Sequence, residues 1–398
     1  MKQLRYLIIS ILVLVSFIAS ARSTAVRGVW VPDPQYTSVL KSYQNVLNFV
    51  TLLDSLNLNS IFIVSYANSK TIYKSDLLNG KGVYLHPDST NMLSPFMVSY
   101  DFPLKSPTGD PVRDLIREAH KRKIKVFFWY EFGFMADIKL VSPQNNPLLA
   151  KNPEWLGMGN DGKPANYNGQ DYYFNAYYPD VQQFLLDLIK EGLQKYPEAD
   201  GIQGDDRMPA MCINSGYDVY TKSKYRAETG KEPPVNFKDS AWMQWRLNIL
   251  NNFGKTLYKT VKKVNPRAQV SFAPNPYPWS RDNLLQEWPK WVSDGICDLL
   301  AVQCYRRDSL SFSNTVKGVQ NEIKRIKKKK QLFAPGILLM VNGQIMNNQQ
   351  IKKQLQANAL LKTDGEIFFY NEAFNNKEIK QTIREFYPYK KKFPAHKR

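Results

Sequence analysis

Short apolar runs rich in Val, Ile, Phe and Tyr alternate along this chain with longer segments whose apolar residues recur every three or four positions. The runs are Val26 to Val31, Ser60 to Tyr66, Ile124 to Glu131, the stretch entering "DGIQGDDR" at Asp200, Gln269 to Asn275, Asp298 to Tyr305, Gln331 to Leu339 and Gly365 to Asn371. Between them, Val46, Phe49, Val50, Leu53 and Leu56 share one helix face, as do Val112, Leu115, Ile116 and Ala119. Two further faces carry Val181, Phe184, Leu185, Leu188 and Ile189, and Trp245, Ile249, Phe253, Leu257 and Val261. Eight strands alternating with helices predict an α/β fold, a closed (β/α)8 TIM barrel. An open doubly wound sheet is the competing arrangement, but the first strand-to-helix turn, "VPDPQYTS", lacks a glycine-rich phosphate loop. The long polar segments follow strands rather than helices. They predict elaborated βα loops on the C-terminal face, where barrel enzymes keep their sites.

The two ends depart from this pattern. Lys2 and Arg5 precede an apolar run from Leu7 to Ile18, which ends in the small residues Ala19, Ser20 and Ala21. That is the form of a cleaved export signal. The run falls short of the ~20 residues a membrane span needs. No Cys follows it to carry a lipid, and no second long apolar stretch occurs. The reading is therefore a signal at 1–21, a barrel at 22–388 and a basic tail at 389–398. The protein is expected in a periplasm or outside the cell, with no integral membrane segment after cleavage.

Three cysteines, Cys212, Cys297 and Cys304, give an exported chain no disulfide framework. The formal net charge is +19, a balance that favours anionic partners such as a phospholipid surface or an acidic glycan. Much of it lies in "KRIKKKK" and the terminal "YKKKFPAHKR", which read most simply as a solvated helix end and a frayed tail. Nucleic acid is not an expected partner: export removes the opportunity, and no reader motif is present.

On a barrel, the residues ending each strand reach the site. Here they are carboxylates, amides and flat aromatics, a set that stacks on and hydrogen-bonds a sugar. The candidates for chemistry are Asp205, Asp206 and Glu131. Those for sugar binding are Trp30, Tyr130, Asn275, Tyr277, Trp279, Gln303, Tyr305, Tyr370 and Glu372. Trp30 and some tyrosines could equally fill the core. Successive strand residues point to opposite faces. Asp205 and Asp206 can therefore act together only if the backbone has left the strand, which Gly204 and Pro209 favour; the competing reading pairs one of them with Arg207. The three histidines are too scattered for a zinc site or a triad, and neither G-x-S-x-G nor a P-loop occurs. No metal or cofactor is expected, with calcium on the acid pair left open.

The motifs, taken in order, are similar to one known group. "VRGVWV", "DPVRDLIREAHKRKIKVFFWY", "NPEWL", "YYFNAYYPDVQQFLLDLIKEGLQKYPEADGIQGDD", "WMQWRLNILNNF", "VSFAPNPYPWSRDN" and "EWPKWVSDGICDLLAVQCY" resemble the glycosyl-hydrolase-like 10 family of exported bacterial proteins. The resemblance implies a (β/α)8 barrel and a glycoside hydrolase, acting in some members on peptidoglycan glycan strands stripped of peptide. It maps the family's fourth-strand acids to Asp200, Asp205 and Asp206, and its sixth-strand P-Q-x-Y to Gln303 and Tyr305, with Val302 where Pro is usual. Gln203 stands in place of a His, and Arg207 where an aromatic is common.

Two schemes are open. Paired carboxylates would set Glu131 or Glu372 against the Asp pair. Alternatively, a substrate acetamide serves as internal nucleophile, as in barrel N-acetylhexosaminidases, with Asp206 as acid and Asp205 orienting the acetamide, or the reverse. The expected partner is a polysaccharide, anionic ones included. A non-catalytic glycan-binding protein on the same barrel is the alternative function.

Overall fold

A computed structural model describes residues 23–78, 106–138, 142–166, 171–326 and 331–395; the expected signal at 1–21 lies outside them. The eight apolar runs become the eight parallel strands β1 (Val26–Val31), β2 (Ser60–Ala67), β3 (Lys125–Tyr130), β4 (Gly201–Gly204), β5 (Gln269–Phe272), β6 (Leu299–Leu300), β7 and β8 (Gly365–Phe369). Strand β7 comes in two pieces, Leu332–Phe333 and Gly336–Leu338, split at Pro335, which has no N–H to give a ladder. Its first piece pairs with β6 and its second with β8, while β8 pairs with β1, so the sheet closes on itself. The predicted barrel is thus borne out.

Helices α1 (Tyr43–Ser55), α2 (Pro111–Lys121), α3 (Pro179–Lys195), α4 (Ser240–Val264), α5 (Trp288–Ser293), α6 (Ser309–Arg325), α7 (Asn348–Leu360) and α8 (Lys377–Phe386) alternate with the strands. Polar residues start most of them: Ser42, Asp110, Asp239, Asp308, Asn347 and Asn376 each accept an N–H of the first turn.

Helix α4 buries a different stripe from the predicted one. Trp242, Arg246, Leu247 and Leu250 are buried in its first half, whereas Trp245 and Ile249 are half-buried. The reason is that the β4–α4 insertion, with its helix Val219–Thr229, covers this half: Trp245 stacks on Trp242 at 5.2 Å and donates to Glu228 at 2.7 Å. Arg246 has no acidic partner there; it donates to the carbonyls of Ile213, Ser215 and Phe237 at 2.6, 2.8 and 2.5 Å. Replacing it leaves three carbonyls without this donor, that of Ser215 buried and those of Ile213 and Phe237 partly buried. Arg246→Met is expected to lower unfolding stability by about 2 kcal/mol in urea titrations, and an unchanged midpoint would contradict that role.

The underside of the barrel, where strands begin, is closed by a repeated device. Asn59, Asp200, Asp298 and Asp364 precede the even-numbered strands. Each accepts the N–H of a residue opening the preceding strand, Arg27, Val126, Val270 and Phe333, at 2.8–3.0 Å. The chain after α8 then crosses this face. Tyr387 donates to buried Glu366 and lies 4.0 Å under Arg27, Thr24 bridges Lys392, and Phe393 packs 5.6 Å from Phe127 inside the barrel. The stretch from 389 to 393 is therefore part of the underside, not a frayed tail. Its anchor is an aromatic plug with backbone pairing, which a lysine-rich sequence hides.

Candidate active site

Strand β4 stops at Gly204, and the next four residues turn: Met208 N–H donates back to the Asp205 carbonyl at 3.2 Å. A Cβ on Gly204 would sit 2.5 Å from the Met208 carbonyl oxygen, so the turn requires glycine. This releases Asp205 and Asp206 from strand alternation and lets both carboxylates gather at the C-terminal mouth. Asp205 is 3% exposed. Its Oδ1 accepts Gln303 Nε2 at 2.5 Å and the Asp206 N–H at 2.8 Å, and its carbonyl accepts buried Gln286 at 2.9 Å. Asp206 is the more open of the two, with 19% of its side chain exposed, and accepts Asn275 Nδ2 at 3.1 Å.

Arg207 joins them. Its Nη1 lies 3.3 Å from Asp205 Oδ2 and 3.0 Å from Asp206 Oδ1, the latter as an ion pair whose angles fall short of a hydrogen bond. Its guanidinium stands 5.5 Å over Phe132. Gly133, at φ 48°, brings the loop after β3 close beneath: a Cβ there would meet the Arg207 carbonyl at 2.6 Å. Burial works against the Arg207 charge, but Asp206 and Asp205 outweigh it and raise its pKa.

Glu131, at the end of β3, faces the same group. Burial pushes its carboxyl up to about 7; Arg207 opposes this, while Asp33 and Asp206 add to it. Burial likewise holds the Asp205 carboxyl well above its ordinary value, with the charge of Asp206 second. A buried Asp205 beside the charge of Asp206 thus favours its neutral form. Tyr305 is held neutral by burial and by these same acids, and its ring packs against Trp30 at 6.2 Å and Phe369 at 5.0 Å.

The remaining candidates divide. Asn275, Gln303 and Tyr305 join the acids. Trp30 is 1% exposed and lies on the barrel axis beneath them, donating to Gln203 at 2.6 Å, which in turn donates to Ser271 at 2.8 Å. Gln203 is therefore a buried relay between two strands. Tyr277 accepts from Arg281 at 2.8 Å and packs against Trp288; Trp279, 39% exposed, opens the next short helix in the loop after β5. Tyr370 is half-buried beside Phe369 in the loop after β8.

Two candidates do not come to the acids. Tyr130 points outward from β3: its hydroxyl would lie 2.9 Å from a Cβ on Gly192 of α3. Phe127 and Trp129 take the inward positions of that strand, at 4.7 Å from Phe62 and 6.3 Å from Trp30. Glu372 is held by Thr37 at 2.8 Å, Asn371 at 3.0 Å and Asn375 at 2.8 Å, joining the loops after β8 and β1. Asp200 sits at the opposite end of β4, bound by His120 at 2.8 Å and Lys125 at 2.7 Å; these partners and the Val126 N–H overcome burial and lower its pKa. It serves the fold.

The competing reading that pairs an acid with Arg207 also holds, since Arg207 is the hub of both acids. Two further contributors stand outside the sequence candidates: Asp33, 8% exposed after β1, raises the Glu131 carboxyl, and Gln286 fixes the Asp205 backbone. Only Asp33 has a signal, its place at a strand end.

The sequence profile of the family described as glycosyl hydrolase-like 10 matches residues 25–355. The chain belongs to that family. Its ordered motifs had implied as much. Among curated relatives of this glycosyl hydrolase-like 10 protein are glycosyl hydrolase YngK of Bacillus subtilis (strain 168), 23% identical over 73% of the chain, and glycosyl hydrolase DigH of Escherichia coli O6:H1, 22% identical over 70%. The match spans 56% of the first and 67% of the second. The glycoside hydrolase domain of PgaB (BpsB) from Bordetella bronchiseptica superposes with a TM-score of 0.64 at 12% identity, covering 91% of this chain and 98% of that domain. It shows the shared barrel.

Proposed function

We propose that this protein is an exported enzyme that hydrolyses glycosidic bonds in an N-acetylhexosamine-containing glycan, such as peptide-stripped peptidoglycan. The observation that carries the reading is the adjacent pair Asp205 and Asp206 at the barrel mouth, one buried and one accessible, beside Tyr305. In the free protein burial, with the charge of Asp206 second, raises the Asp205 carboxyl and favours its neutral form. A substrate acetamide N–H that hydrogen-bonds Asp205 favours its ionised form instead, and the proton passes to Asp206.

Asp206 then donates it to the glycosidic oxygen as the bond to C1 breaks. The acetamide oxygen, aligned by Asp205 and Tyr305, forms the new bond to C1. Water opens this ring, its proton returning to Asp206. Glu131, neutral to about pH 7, offers its O–H to a sugar hydroxyl. The excess positive charge concentrates a glycan bearing muramic carboxylates.

Incubation with peptide-stripped peptidoglycan and a panel of neutral and sulfated glycans, read by mass spectrometry, is expected to show shortened strands with the acetamido polymer. Strands left intact throughout the panel would remove the enzyme reading in favour of a glycan-binding protein.

A further inference from the structure

We propose that the underside of the barrel, opposite the acid-lined mouth, docks on an anionic lipid bilayer. Helix-to-strand connections and the chain after α8 lie on this face. They present exposed Lys123, Lys263, Arg267, Lys362 and Lys392, none with an acidic partner among the described residues. Carboxylates of the same face are paired with cations, Asp200 with Lys125 at 2.7 Å, Asp298 with Lys262 at 2.7 Å, Asp54 with Lys390 at 2.5 Å, Asp294 with Lys255 at 3.1 Å and Glu198 with Arg113 at 3.4 Å, while Asp364 accepts the Phe333 N–H. What remains is positive.

The free cations sit on four separate connections around the barrel. A single polymer strand or small anion cannot gather them, whereas a planar anionic surface meets all at once. Tyr389, 79% exposed, and Leu360, 77% exposed, stand next to Lys390 and near Lys362. An isolated aromatic and an aliphatic side chain among lysines suit the headgroup region of a bilayer, where apolar tips enter and ammonium groups meet phosphate. Docked this way, the catalytic mouth looks away from the lipid.

The test is co-sedimentation with vesicles of mixed phosphatidylglycerol and phosphatidylcholine, against pure phosphatidylcholine. Salt-sensitive binding to the mixed vesicles alone is expected. The triple change Lys123→Glu, Lys362→Glu and Lys392→Glu should weaken it about tenfold or more while leaving hydrolysis of a soluble glycan unchanged. A control of equal charge on the β4–α4 insertion, Lys222→Glu, Lys231→Glu and Lys238→Glu, should bind as the parent does. Absence of binding to anionic vesicles, or equal loss in both triples, would overturn the proposal, the latter by showing that net charge alone is read.

Discussion

Asp206→Asn is expected to lower turnover about 1,000-fold while leaving the fold and glycan binding in place. The amide keeps a carbonyl oxygen for Asn275 to donate to, and Arg207 keeps Asp205. What disappears is the proton donor at the accessible position. A second effect accompanies it: the negative charge of Asp206 is among the causes that raise the Asp205 carboxyl, so its removal lets Asp205 ionise at lower pH. The residual activity of the variant should therefore show an altered pH profile and not merely a scaled one. Tyr130→Phe serves as the control, because Tyr130 faces α3, and it should turn over at the parent rate. Steady-state kinetics on a chromogenic acetamido-glycoside with isothermal titration of a glycan fragment would check both halves. A variant within threefold of the parent would deny Asp206 the role of acid.

How far the sequence reaches can be judged from β3 and β4. Both strands are apolar on each face because helices cover one side and the barrel interior the other, so the run "KVFFWY" carries no sign of which residues point inward. Tyr130 was placed at the mouth for its position at a strand end, and the parity of the strand sends it the other way. The acid pair escapes this ambiguity because Gly204 ends the ladder, and a glycine before two acids is visible in one dimension. Contacts made across the chain are not. Glu372 is taken up by Thr37, 335 positions away, and Phe393 finds Phe127 from the far end of the sequence. The eight-strand alternation survived because it repeats; the capture of a single side chain by a distant loop leaves no periodic trace.

Glu131→Gln is expected to stabilise the protein at alkaline pH and so to reveal what the site costs the fold. The carboxyl is held at about 7 in the folded protein against 4.5 for the free group. Below about pH 4 it is protonated in both states, and the substitution changes little. As pH rises past the unfolded value, the unfolded chain ionises while the folded one keeps its proton, and stability falls. Above about 7 both are ionised and the full gap, about 3 kcal/mol, weighs against the native state. Glutamine never ionises, so melting at pH 8 should occur several degrees higher than in the parent, with no such gain at pH 4. Asp205 contributes in the same direction, since burial raises it too. The same variant separates the two chemical schemes. If the substrate acetamide is the nucleophile, Glu131 acts as a neutral donor, an amide can replace it, and activity should stay within about tenfold while its decline above pH 7 disappears. If Glu131 itself attacks or activates water, the amide cannot serve and turnover should fall about 1,000-fold, with the stability gain intact.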